Sequence, residues 1–340
     1  MKSDFSNLVN KTCIVTGGAG FIGSHLCACL FDLGINVISI DIEANQKSTF
    51  FNFLNENRDI HFIATDLSDS SSIHKLAEIK PNIIFHLAGK PYAPFTSVQP
   101  NSAYFANVVS TANMLELARI ASVDRFLLAS SACIFGATSD SPISVKGKYC
   151  KPEHYYTYTK REAESLASSY YEFYNIPISI CRFVNIYGPG DRHFGRLIPQ
   201  LCYQLVNNES NELRLLRSSG ESVFEFLYVE DAVSGLLSVA SKEDSSYSIR
   251  HFGTGQLGRM KTKDIANHLS LIYDNKKRKI FTRQTGGEKI VHKYLDINDT
   301  KKDIGWMPQW SINDGLSKTV AWYRRYINKI KPFEKDLVIS

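Results

Sequence analysis

The sequence predicts an α/β fold, a doubly wound parallel sheet followed by a smaller C-terminal lobe, and three observations carry that prediction. A glycine-rich turn, Thr16-Gly17-Gly18-Ala19-Gly20-Phe21-Ile22-Gly23, joins an apolar strand-like run to a helix-like stretch. Strand and helix periodicities then alternate as far as Phe183. At Tyr187 that regularity gives way to the turn Gly188-Pro189-Gly190-Asp191 and to shorter elements.

Thr12 to Val15 forms the first strand, and Ser24 to Leu33, closed by Gly34, the first helix. Between them, Gly17, Gly20 and Gly23 let the chain turn sharply, approach a pyrophosphate and pack helix on strand, while the helix start offers N–H groups to the anion. A second strand, Asn36 to Ile40, leads into Asp41, eighteen residues beyond Gly23. A carboxylate there accepts hydrogen bonds from the adenosine ribose and repels a 2′-phosphate, so the expected cofactor is NAD in preference to NADP. Further along, strands are expected at Ile60 to Thr65, Asn82 to Leu87, Arg125 to Ala129 and Ile178 to Phe183, with helices near Ser70 to Glu78, Ser102 to Ala121 and Tyr156 to Tyr174. They make a Rossmann-type sheet of six or seven strands. The expected division is an NAD-binding domain of residues 1–186 with a return segment of about 226–250, and a C-terminal α/β substrate lobe of residues 187–225 with about 251–335.

Composition narrows the function classes. A chain of 340 residues with 44% apolar content can bury a large core, and no uninterrupted apolar run approaches the eighteen residues of a membrane span. The polar start, Met1 to Lys11, has no apolar signal region, so the expected compartment is the cytosol, with no membrane partner. Seven cysteines, at 13, 27, 29, 133, 150, 181 and 202, include no CxxC pair, which speaks against a structural metal or a disulfide framework. The net charge of +5 is uneven: residues 257–340 hold 18 Lys/Arg against 9 Asp/Glu, leaving 21 against 25 in the remainder. The run Lys276-Lys277-Arg278-Lys279 reads as a solvated edge and not as a nucleic-acid site, while a basic lobe suits an anionic small substrate.

Candidate chemistry lies near the middle of the chain. Tyr156 and Lys160 are four residues apart and share one helix face. A neighbouring lysine cation and an oxidised nicotinamide both favour the phenolate, which would make Tyr156 a base near neutral pH. Tyr158 is only two residues from Lys160 and points elsewhere. Ser130 and Ser131 close the fifth strand at the carboxyl edge, where ligands of open α/β sheets bind, and a hydroxyl there can hold the substrate oxygen.

From Lys11 to about Trp322 the chain resembles the extended short-chain dehydrogenase/reductases, in particular the nucleotide-sugar epimerase/dehydratase branch. Gly17, Gly20, Phe21, Ile22 and Gly23 fall on that family's nucleotide fingerprint, Asp41 on its ribose acid, Asp66-Leu67 on its adenine-side pair, Leu87-Ala88 within its HxAG strand end, and Asn107 on the asparagine of its NVxxT pattern. The resemblance implies a triad of Ser131, Tyr156 and Lys160. It also implies substrate contacts by Thr96, Ser131 and Asn185, the last within Arg182-Phe183-Val184-Asn185-Ile186-Tyr187-Gly188-Pro189. Relatives pair through two long helices, so a homodimer is implied.

Two departures matter. Where the family carries a diphosphate-clamping arginine, this chain has Phe224, with Arg192, Arg196 and Arg283 as candidate substitutes. Where relatives that eliminate water carry Asp-Glu, it has Ala132-Cys133, and Ala132 has no proton to donate. The expected activity is therefore an NAD-dependent nucleotide-sugar 4-epimerase working through a transient 4-keto sugar. A 3,5-epimerase using Cys133, whose segment resembles GDP-mannose 3,5-epimerase, and a 4-keto-sugar reductase are the alternatives, ahead of a 4,6-dehydratase or a non-catalytic NAD-binding protein.

Overall fold

The computed structural model describes residues 5–42, 57–91, 93–136, 141–149, 151–152, 154–207, 211–215, 218–242, 246–255, 257–282 and 292–327. Its principal sheet contains β1 (Thr12–Thr16), β2 (Asn36–Asp41), β3 (His61–Ala64), β4 (Ile83–His86), β5 (Arg125–Ser131), β6 (Ile178–Phe183) and β10 (Ser248–Phe252). The spatial order is β10-β6-β5-β4-β1-β2-β3, and every pairing is parallel. The chain thus winds outward from β1 in both directions, which places the switch in winding beside the glycine turn.

A sheet covered on both faces needs apolar residues at consecutive positions, and these strands supply them. Cys13, Val15, Leu127 and Cys181 join one buried cluster, whereas Ile14, Phe126, Leu128 and Ile180 join the other. The first face packs under α1 (Phe21–Asp32) and a returning helix, Val229–Ala240. On the second face lie α2 (Ile73–Ala77), a helix over Ser110–Ala121 and another over Tyr155–Tyr174. Each fully buried Leu, Ile or Phe contributes about 1.5–3 kcal/mol, so the two faces carry most of the driving force for this sheet.

Between β4 and β5 the chain is less regular than its periodicity suggests. After α3 (Ala93–Val98), the stretch expected as one helix from Ser102 to Ala121 is the end of α4 (Pro100–Tyr104), a π turn over Phe105–Val109 and α5 (Ser110–Ala121). Within the π turn, Asn107 is a buried amide bonded to Lys90 and Thr159 of other segments. Ser70 to Ser72 is a 3₁₀ turn preceding α2. The helix α6 (Tyr155–Tyr174) stops at Asn175, which takes the left-handed conformation at φ +54°.

After β6 come β7 (Asn185–Tyr187), α7 (Leu197–Asn207), β8 (Glu212–Leu215), β9 (Val223–Tyr228) and the returning helix, α8 (Val229–Ala240). Following β10 are β11 (Arg259–Lys261), α9 (Thr262–Asp274), β12 (Lys279–Thr282), β13 (His292–Lys293), α10 (Asn298–Ile304) and α11 (Ile312–Tyr326). β9 is the centre of a second sheet, pairing antiparallel with β11 and parallel with β13 and β7. β8 and β12 form a separate parallel pair. A third apolar cluster, including Phe194, Leu201, Tyr228, Ile265, Leu316 and Tyr323, binds these smaller elements together.

Candidate active site

The glycine turn closes tightly on the strand ends. Gly17 has φ +66°, and a Cβ there would come within 2.9 Å of the Ala88 backbone nitrogen. At Gly23 a Cβ would lie 2.1 Å from the Gly17 carbonyl oxygen. The first position needs left-handed backbone and the second a close helix–strand approach, and glycine alone supplies both. α1 begins behind Gly20 with no side-chain cap, so the first-turn N–H groups of Phe21, Ile22 and Gly23 have no acceptor within the helix.

Asp41 ends β2 beside this turn, its Oδ2 accepting from Ala19 N at 3.1 Å and its Oδ1 from Ile42 N at 2.8 Å. Asp66 Oδ1 accepts from Ser68 N and Oγ at 2.9 and 2.8 Å, and the Leu67 carbonyl accepts from Asn113 Nδ2 at 2.9 Å. A cradle too narrow for methyl groups, an uncapped helix start and a carboxylate at the next strand end fit the phosphates and ribose of NAD.

The cradle is linked to the catalytic candidates through buried polar groups. Leu87 N donates to the Thr16 carbonyl at 3.2 Å, and Ala88 N to Thr16 Oγ1 at 3.2 Å. His86 is held between Thr16 Oγ1 at 2.7 Å and Thr111 Oγ1 at 3.0 Å. Burial, with the Lys160 charge second, pushes the imidazole down to about 3, so it stays neutral. Asn107 accepts from Lys90 N at 2.6 Å and donates to Thr159 Oγ1 at 2.9 Å, and Thr159 Oγ1 donates to the Tyr156 carbonyl at 2.9 Å. The π turn therefore braces the first turn of α6.

The Ser131 hydroxyl and the Arg196 cation both act on the Tyr156 phenol, favouring its ionised form. Ser131 Oγ also accepts from Cys133 N at 3.2 Å. Lys160 Nζ donates to the Ala129 carbonyl at 2.8 Å. Ser131, Tyr156 and Lys160 thus meet at the end of β5. Their electrostatics differ from the expectation, because burial raises Tyr156 well above the ordinary phenol value, and the cation that opposes this is Arg196. Burial also lowers Lys160, to about 8, with Cys133 and Glu164 acting the other way. Tyr158 is exposed and stacks on Tyr155, with ring centroids 5.8 Å apart.

Around this centre, Thr96 is fully buried and Asn185 is exposed, its Nδ2 donating to the Glu225 carbonyl at 3.4 Å. Arg192 is half-buried in the turn that follows β7. Arg196 is tethered to buried Asp191 at 3.0 Å. Cys150 and Arg283 lie outside the described residues. Phe224, at the expected clamp position, faces Met260 of β11 in register and packs on the third apolar cluster.

Two features escaped the sequence reading. Beneath Ser130, Glu164 and Arg182 form a buried ion pair at 2.6 Å. Next to Phe224, Glu225 is fully buried: Oε1 accepts from the backbone N–H groups of Thr254 and Gly255, and Oε2 from Leu295 N at 2.9 Å. Burial pushes its carboxyl up to about 7 although these donors favour the anion. Neither pair of partners is close in sequence, so no local spacing announces it.

Over residues 13–255 the chain matches the profile of the NAD dependent epimerase/dehydratase family. It is 24% identical to UDP-glucuronate 4-epimerase 2 of Arabidopsis thaliana, covering 92% of this chain and 76% of the relative. Human dTDP-D-glucose 4,6-dehydratase is 26% identical, with 96% and 94% covered. Among solved structures, UDP-glucose 4-epimerase of Thermotoga maritima, crystallised with UDP-glucose, superposes with a TM-score of 0.82 at 24% identity, covering 93% of this chain and 99% of that one. No helix of the described residues is long and apolar enough to cross a membrane.

Proposed function

The chain belongs to the NAD dependent epimerase/dehydratase family, and from that premise we propose that it is a nucleotide-sugar 4-epimerase. The observation that carries the reading is the meeting of Tyr156 with the Ser131 hydroxyl beside Lys160, at the carboxyl edge of the sheet. NAD, when bound, supplies a hydride acceptor that also returns the hydride. Ser131 orients the C4 oxygen and Tyr156 removes its proton, leaving a 4-keto sugar that turns over and regains hydrogen on its opposite face. Lys160, held by the Ala129 carbonyl, would reach the nicotinamide ribose and add positive charge there. For Tyr156 to act as the base, its raised phenol must be brought down, a task shared by Arg196 and the positive charge of the oxidised nicotinamide.

Gly17, Gly20, Phe21, Ile22, Gly23 and Asp41 would hold the pyrophosphate and ribose. Asp66, Leu67, Leu87, Ala88 and Asn107 would border the adenine and nicotinamide sides. Thr96, Asn185 and Arg192 would contact a nucleoside diphosphate sugar, with Arg196 and the basic C-terminal lobe offsetting the cation missing at Phe224. Buried Ala132 offers no acid for eliminating water, which disfavours a dehydratase. The exposed side chains of Tyr104, Phe105, Phe173 and Tyr174 support pairing of two copies through these helices, and the six described cysteines, all free, suit a reducing cytosol.

The test is to incubate the purified protein and NAD with UDP, GDP, CDP and dTDP sugars and to follow inversion at C4 by NMR. A panel left unchanged at C4 defeats the reading. Cys133 is half-buried, and its charge would act on both Tyr156 and Lys160, which supports a 3,5-epimerase as the second reading. Solvent deuterium entering C3 or C5 would select it.

A further inference from the structure

Beneath the Ser131, Tyr156 and Lys160 cluster, the proposed reaction leaves a buried ion pair unused. Arg182 grips both oxygens of Glu164, Nε to Oε1 at 3.0 Å and Nη2 to Oε2 at 2.6 Å. The same guanidinium donates to the Val145 carbonyl at 3.0 Å and to the Tyr149 hydroxyl at 2.7 Å. Tyr149 in turn donates to Glu164 Oε2 at 3.0 Å, and Ser130 Oγ to Oε1 at 2.5 Å. Removing two charges from water costs several kcal/mol each, and well-packed apolar residues commonly serve stability as well.

The surroundings of this pair suggest another use. Ser130 and Arg182 are register partners across β5 and β6, so the carboxylate is bonded to both strands. Ser130 lies between Ala129, whose carbonyl receives Lys160, and Ser131, which meets Tyr156. Glu164 is one helical turn beyond Lys160, on the same face of α6.

We propose that Glu164, clamped by Arg182, is a positioning residue that keeps the Lys160 ammonium charged and fixes the strand end carrying Ser131. The charged and titratable groups around this pair of residues are Cys133 after β5, His86 at the end of β4, and Arg182, Tyr149 and Tyr247 around Glu164 itself. Arg182 neutralises Glu164 in part, so the remaining carboxylate charge acts on Lys160 one turn away. The relevance to turnover rests on the triad reading above, while the experiment reads the lysine directly.

In ¹³C-lysine-labelled protein, the Lys160 ε-carbon resonance, identified by its loss in Lys160→Ala, is followed against pH. Glu164→Gln should lower its midpoint by about one pH unit, the effect of losing one close opposite charge. Glu164→Asp, which keeps the charge, should leave it near the parent's. If Glu164→Gln does not fold, the double substitution Glu164→Leu with Arg182→Met keeps the site packed without charge and should show a smaller fall in the same direction, because it does not leave the Arg182 cation unpaired. A midpoint unchanged in the folded charge-free variant overturns the proposal. Failure of the sugar panel would remove the 4-epimerase reading and leave this result standing.

Discussion

Glu225→Gln keeps the shape of a fully buried side chain and removes its titration. In the folded chain burial raises this carboxyl to about 7, against an ordinary value of 4.5. A folded-state value above the unfolded one means that the native protein binds more protons between those limits. Its contribution to stability is therefore complete below about pH 4.5 and is lost as pH rises toward and through 7. A gap of roughly 2.5 pH units at 1.36 kcal/mol per unit corresponds to about 3 kcal/mol. Glutamine has no such dependence, so the unfolding free energy of the variant should gain on that of the parent by about 3 kcal/mol between pH 4.5 and pH 8. Buried His25, His86 and His251 have lowered values and weaken both proteins on the acid side, a trend that cancels in the difference. Urea unfolding monitored by tryptophan fluorescence at half-unit pH steps measures the difference. A constant difference across that range would refute the argument, because Glu225 would then titrate alike in both states.

Three other outcomes are expected. Tyr156→Phe should lower turnover by about 10²–10⁴-fold, as loss of a general base does, while bound NAD, measured by mass spectrometry of the native protein, stays near the parent level. Gly23→Ala places a methyl 2.1 Å from the Gly17 carbonyl oxygen, so it should lower both the melting temperature and the NAD content. In Asp41→Asn the charge that repels a 2′-phosphate is gone, and the ratio of NADP to NAD affinity, read by fluorescence titration, should rise.

The sheet was legible because its strands are short apolar runs bounded by turn residues. Ile178 to Phe183 coincides with β6, and Arg125 to Ala129 lacks only the last two residues of β5. Gly17 and Gly23 were legible for a different reason: their close contacts are with segments whose order the motif already encodes. Ser131, Tyr156 and Lys160 do converge, yet the charge balance at the phenol was not readable, since burial and the Arg196 cation depend on distant packing. The same limit hid Glu164 with Arg182, and Glu225 with Thr254, Gly255 and Leu295, whose partners come from separate elements. Periodicity also joined Ser102 to Ala121 into one helix, because it records which residues are apolar and not where the winding loosens into a π turn at Phe105–Val109.

The π turn at Phe105–Val109 has a mechanical consequence for how this chain can change. It inserts a phase step, so the stripe of Met114, Leu115, Leu117 and Ala118 facing the sheet and the stripe of Tyr104 and Phe105 facing outward are set by separate windings. Deleting one residue there would turn the upstream segment by roughly 100° relative to the downstream one, carrying buried Ala103 toward solvent while the sheet contacts stay in place.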